Sequence, residues 1–169
     1  MCRFFLVLVW GLSFCFFQVQ AEVLPTSTTQ LSENQCRLDL YHLEKNRQKQ
    51  FVSTFQVALI TDNQFRQRFV ALKAGIDHPA GFENIRYFRT GSPVEVFTAN
   101  WRKNGNLHTV ARLVLLGGTS DKQGFDVLTK LIVEDKGHFE LLSDADSYRF
   151  NIQPNDLKAF LTCVNTYYH

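Results

Sequence analysis

What this sequence lacks narrows its chemistry first. No two of its five histidines lie within four residues of one another and no Cys-x-x-Cys pair occurs, so there is no local zinc-binding pattern. No Gly-x-Ser-x-Gly nucleophile turn is present. Gly117-Gly118-Thr119-Ser120 is expected to join two strands, whereas a phosphate loop needs a strand followed by a helix. Asp144 and Asp146, with Glu140 nearby, lack the glycine and glutamate of a twelve-residue calcium loop. No Asn-x-Ser/Thr triplet occurs, so no N-linked sugar is expected; Asn34-Gln35-Cys36 is only the rare cysteine variant. Charge of one sign is also missing. The 18 Lys and Arg nearly balance the 16 Asp and Glu, which argues against nucleic acid or an anionic membrane as partner.

What is present begins with a leader. Arg3 precedes an apolar stretch from Phe4 to Phe17, and Val19 and Ala21 supply small residues before Glu22. The stretch is about 14 residues long, short of the roughly 20 needed to span a bilayer. Residues 1–21 are therefore expected to be a cleaved signal peptide, and the mature protein to be secreted, or periplasmic in a bacterium. Two of the four cysteines leave with it. In an oxidising compartment the remaining pair, Cys36 and Cys163, is expected to form a disulfide. A mature chain of this length builds one hydrophobic core without further staples.

Along the mature chain, residues 22–31 read as a flexible lead-in and residues 32–169 as one α+β domain. Ser32-Glu33-Asn34-Gln35 has the form of a capping box. Leu40, Leu43, Arg47, Phe51, Phe55 and Leu59 then recur at helical steps, as do Phe65, Phe69, Leu72 and Ile76 after Thr61-Asp62-Asn63. Two amphipathic helices are expected here, ending at the Asp77-His78-Pro79 turn. From Glu83 the period changes to two. Strands are expected from Ile85, over Val94 to Trp101, over Leu107 to Leu116, from Phe125 to Glu134 and from His138 to Leu142, with Asn104-Gly105 as a hairpin turn. Pro154 opens a short C-terminal helix. The expected fold is thus N-terminal helices packed on a curved antiparallel meander sheet of four to five strands.

That order of elements, clearest in the hairpin from Val94 to Leu116 and its continuation from Phe125 to Leu142, resembles the nuclear transport factor two-like superfamily, with the cystatin-like arrangement as neighbour. The resemblance implies a cone-shaped pocket between helices and sheet, in a superfamily that includes small hydrolases and isomerases as well as non-catalytic modules that dimerise through the sheet. Fold alone does not choose among these.

The residues favour the non-catalytic side. Asp77 beside His78, and His138 two residues before Glu140, are the nearest approach to an acid–base set, and neither pattern is distinguishable from a turn or a strand face. Trp101, Phe97, Tyr87 and Phe69 are the candidate ligand-binding residues, since pockets are mostly apolar. Trp101 stands out because it lies near the Asn-Gly turn. No cofactor or metal is expected. The expected function is a secreted, non-enzymatic domain that binds a protein or a small apolar ligand, with a homodimer through the sheet face as a further possibility. The alternatives are a small hydrolase or isomerase and a self-associating structural module.

Overall fold

The computed structural model describes residues 26–75, 83–89, 92–105, 108–143 and 146–168. The expected leader, the start of the expected lead-in and the residues Asp77 and His78 lie outside them. The chain runs β1 (Ser27–Leu31), β2 (Gln35–Lys45), β3 (Phe51–Asp62), β4 (Gln67–Gly75), β5 (Asn84–Arg89), β6 (Ser92–Asn104), β7 (His108–Leu115), α1 (Asp121–Glu134), β8 (His138–Leu142), β9 (Ser147–Asn151) and α2 (Pro154–Tyr168). The coarse α+β class, the Asn104-Gly105 hairpin and the helix opened by Pro154 are all found.

The N-terminal helices are not. Residues 35–75 form three long antiparallel strands, because the decisive period is two: Cys36, Leu38 and Leu40 face Thr61, Leu59 and Val57, which in turn face Arg68, Val70 and Leu72. Apart from the rim residue Arg68, these side chains are buried. The helical steps seen in the sequence arise because apolar residues also sit on the opposite strand faces, as at Ala58 and Ile60. The turns that join them carry no glycine. Asn46 Oδ1 accepts hydrogen bonds from the backbone N–H of Gln48 (3.0 Å) and Gln50 (2.9 Å), and Lys49 takes a left-handed φ of 62°. Asp62 Oδ1 does the same for Phe65 N–H at 3.0 Å, with Arg66 at φ 52°.

The expected strand from Phe125 to Glu134 is instead most of α1. Ser120 caps it, its side chain accepting from Gln123 N–H, and Phe125, Leu128, Leu131 and Ile132 form its buried stripe. Gly117 to Ser120 therefore joins a strand to a helix rather than two strands.

The sheet has nine strands in the order β1-β2-β3-β4-β7-β6-β5-β8-β9, every neighbouring pair antiparallel. It curls until its ends meet. The Thr26 hydroxyl donates to the Asn151 carbonyl, and Gln153 N–H donates to Ser27 Oγ at 3.0 Å. This nearly closed barrel overturns both the four-to-five-strand open sheet and the resemblance to nuclear transport factor two-like and cystatin-like folds, whose sheets stay open. Closure has a physical logic: it removes the long unpaired edges that a nine-stranded open sheet would expose.

Both helices cover one end of the barrel. α1 packs on β4 and β7 and reaches β5, where the Tyr87 hydroxyl donates to Asp135 at 2.8 Å. α2 starts beside β1, where Ser27 donates to Asp156 (2.5 Å), and finishes where the Tyr168 hydroxyl donates to the carbonyls of Asp62 (2.9 Å) and Gln67 (3.2 Å). Phe125 and Phe160 meet between them, ring centroids 6.2 Å apart.

Candidate functional site

The barrel interior is packed with rings. Phe55 stacks on Tyr148 with centroids 4.0 Å apart, Tyr87 on Phe139 at 5.2 Å, and Phe139 on Phe150 at 5.1 Å. These are core contacts, and burial raises the hydroxyl pKa of Tyr148 to about 12. Burial, reinforced by the bond to Asp135, also holds the Tyr87 hydroxyl well above the usual phenol range.

Of the four residues proposed as ligand contacts, Phe97 and Tyr87 are fully buried in this core. Trp101 points inward and is half-buried, tilted against Phe55 at 6.2 Å. Phe69 faces the other way, out of the barrel, where the Arg112 guanidinium lies 4.3 Å from its ring centroid. The four do not converge. His138 is exposed at the start of β8, and Glu140 on the same outward face pairs with Arg149 at 3.7 Å. Asp77 and His78 lie outside the described residues. Among the described residues, no group of three or more His, Cys, Asp or Glu gathers as a metal site.

The Cys36–Cys163 disulfide is formed, with Cα atoms 5.9 Å apart, and it ties the start of β2 to α2. His42, not singled out in the sequence, lies where β2 outruns β1 and meets β9. Its Nδ1 is 3.2 Å from Arg149 N and 3.1 Å from Arg149 O, and its Nε2 is 3.3 Å from Glu44 Oε1. With the hydrogen on Nε2, the neutral ring donates to Glu44 and accepts the Arg149 N–H, so it stands in for a main-chain bond across the seam.

The outward face of β4, β7 and β6 carries a cleft of about 580 Å³, whose lining includes Ala71, Asn100, Arg102, Val110, Arg112, Val114 and Asp121. Its floor is apolar because successive β7 residues alternate: Ala111 and Leu113 enter the core, and Val110 and Val114 are left half-buried outside. Arg102 and Arg112 stand on it, Arg112 held by Asp121 at 2.7 Å. The sequence hints at this surface only through strands that are apolar on both faces, with no mark of which face is outward. The chain matches no protein-family model, no curated protein and no solved structure.

Proposed function

We propose that this is an exported, non-enzymatic binding domain that engages a partner protein through the outward face of β4, β7 and β6. The observation that carries the reading is the division of apolar surface. The described interior is occupied by stacked rings, whereas the outer cleft keeps an apolar floor between two arginines. Apolar floors rimmed by arginine are a common composition for protein contact surfaces. Arg112 is already paired with Asp121, so the charge left on this face is that of Arg102, which has no carboxylate partner among the described residues and favours a partner with an acidic residue opposite it.

The test is photo-crosslinking of the mature chain, in medium from the producing cells, with a photoreactive residue replacing Val110. The expected result is one discrete foreign protein that disappears in the Arg102→Glu/Arg112→Glu variant. A product unaffected by that charge reversal, a homodimer, or no product at all would overturn the reading.

The competing reading is a small, largely apolar ligand inside the barrel with one polar atom to meet the Thr109 hydroxyl, which is buried without a hydrogen-bond partner among the described residues. Trp10 leaves with the expected leader, so Trp101 is the single tryptophan of the mature chain and reports on this interior alone. Saturable quenching of its fluorescence by N-phenylnaphthylamine would favour the interior site, and unchanged emission would favour the outer face.

A further inference from the structure

A second recess lies at the helix-covered end, where the β3–β4 turn, the first turn of α1 and the last turn of α2 converge. It holds about 280 Å³ and is lined by Arg66, Arg68, Lys122, Tyr167 and Tyr168. Three cations thus share a small space, and like charges brought together without compensation are unfavourable.

Compensation from the chain is incomplete. Arg68 pairs with Asp126 at 3.0 Å, and its guanidinium is also held over the rings of Tyr168 (4.8 Å) and Phe125 (5.9 Å). Arg66 and Lys122 have no carboxylate partner among the described residues. The recess is also pre-shaped. Tyr168 is fixed by its bonds to the Asp62 and Gln67 carbonyls. Arg66 sits in a left-handed turn conformation that side-chain-bearing residues rarely adopt. The α1 N-terminus adds little of its own, since Ser120 Oγ already takes Gln123 N–H and Gln123 Oε1 takes Thr119 N–H (2.9 Å). The charge comes from the side chains.

We propose that this recess binds an oxyanion, phosphate or sulfate, either free or as the charged end of a larger ligand. An arginine offers a planar fork of donors matched to such oxygens, and a lysine adds a point charge. The recess is larger than one such ion needs, which leaves space for an attached group against the tyrosine walls. This site is independent of the cleft over β4, β7 and β6, so either can fail without the other.

The test is a titration of the disulfide-bonded mature chain with inorganic phosphate, sodium sulfate and phenyl phosphate in low salt, following backbone amide shifts by NMR. The expected result is saturable binding with shifts centred on Arg66, Lys122 and Tyr167, weakened at least tenfold in the Arg66→Gln/Lys122→Gln variant and unchanged in Lys103→Gln. Both sets of substitutions are at exposed side chains, so folding is retained and checked on the same spectra. Tighter binding of phenyl phosphate than of inorganic phosphate would assign the site to an ester, and equal binding to the free ion. Shifts that never saturate, or that persist in the double variant, would overturn the proposal.

Discussion

The barrel is closed in two places by different means, and the contrast shows where its stability resides. The helix-covered end is held by a covalent bond, by Phe125 meeting Phe160, and by the side-chain bonds of Asp156, Tyr168 and Asp135 to four different strands. The β2–β9 seam is held by His42, with Thr26 and Ser27 beside it, and by the rings of Tyr148 and Phe150 against which His42 stands edge-on. One closure constrains the chain even when it is unfolded. The other exists only while the native side chains are in place, so it is the place where the wall is expected to open first.

The strongest way to break the contrast is to remove the covalent half. Replacing Cys36 and Cys163 together by Ser frees a loop of 127 residues. On a chain-entropy account that costs about 5 kcal/mol, a large share of the total stability of a domain this size. Chemical denaturation should show the midpoint falling steeply. A loss below about 1 kcal/mol would mean that the packing of α2 alone secures this end.

The seam should respond less. His42→Ala removes two edge-on ring contacts and the bridge to Arg149, worth about 2 kcal/mol together. Hydrogen exchange should accelerate in β9 before β3, whereas in the disulfide variant the first amides to gain should be those of α2. Uniform acceleration across all strands in His42→Ala would show that the seam is not a separate unit.

A smaller effect is expected at Gly124, where α1 meets the wall. A Cβ there would lie 2.8 Å from the Leu113 carbonyl oxygen, a backbone atom that cannot swing aside. Alanine gains roughly 1 kcal/mol of helix propensity over glycine, and the displacement of α1 from β7 should exceed that gain. Gly124→Ala is therefore expected to lower the melting temperature by a few degrees, and a rise would show that α1 rides loosely on the end of the barrel.

The same residues explain how much could be read in advance. The disulfide followed from the two cysteines left once the expected leader is set aside, whereas the Asn104-Gly105 turn and α2 followed from local signals, a dipeptide and Pro154. The barrel was not legible, because the β2–β3 and β3–β4 hairpins turn on Asn46 and Asp62 with Lys49 and Arg66 in left-handed conformations, and neither turn carries a glycine. One four-residue pattern was used twice. Ser32-Glu33-Asn34-Gln35 and Ser120-Asp121-Lys122-Gln123 each let a serine oxygen accept from the backbone three residues on, yet the first closes the β1–β2 turn and the second caps α1. What separates them lies downstream: Leu38 and Leu40 alternate, while Phe125, Leu128 and Leu131 step by three. The outer cleft was legible only as strands apolar on both faces, because the direction of curl that makes one face outward is a property of all nine strands together.

The last prediction sets the two closures against each other by pH. Tyr148 belongs to the seam strand β9 and Tyr87 is bonded to Asp135 at the end of α1. Both are neutral in the fold, and burial raises both hydroxyl pKa values above the ordinary 10, Tyr148 to about 12 and Tyr87 further still. A raised folded-state pKa means that the unfolded chain gives up its proton first. The stability tied to that proton is whole below pH 10 and is lost as pH rises toward the folded value. For Tyr148 the window is pH 10 to about 12, with Tyr87 still protonated at its upper edge. Denaturation midpoints should therefore fall through this window, and Tyr148→Phe should flatten part of the fall. Between pH 10 and 12, amide protection relative to the base-catalysed intrinsic rate should fall in β9 while Tyr87 keeps its bond to α1. Equal exchange at both ends would place the weak point of the barrel somewhere other than its seam.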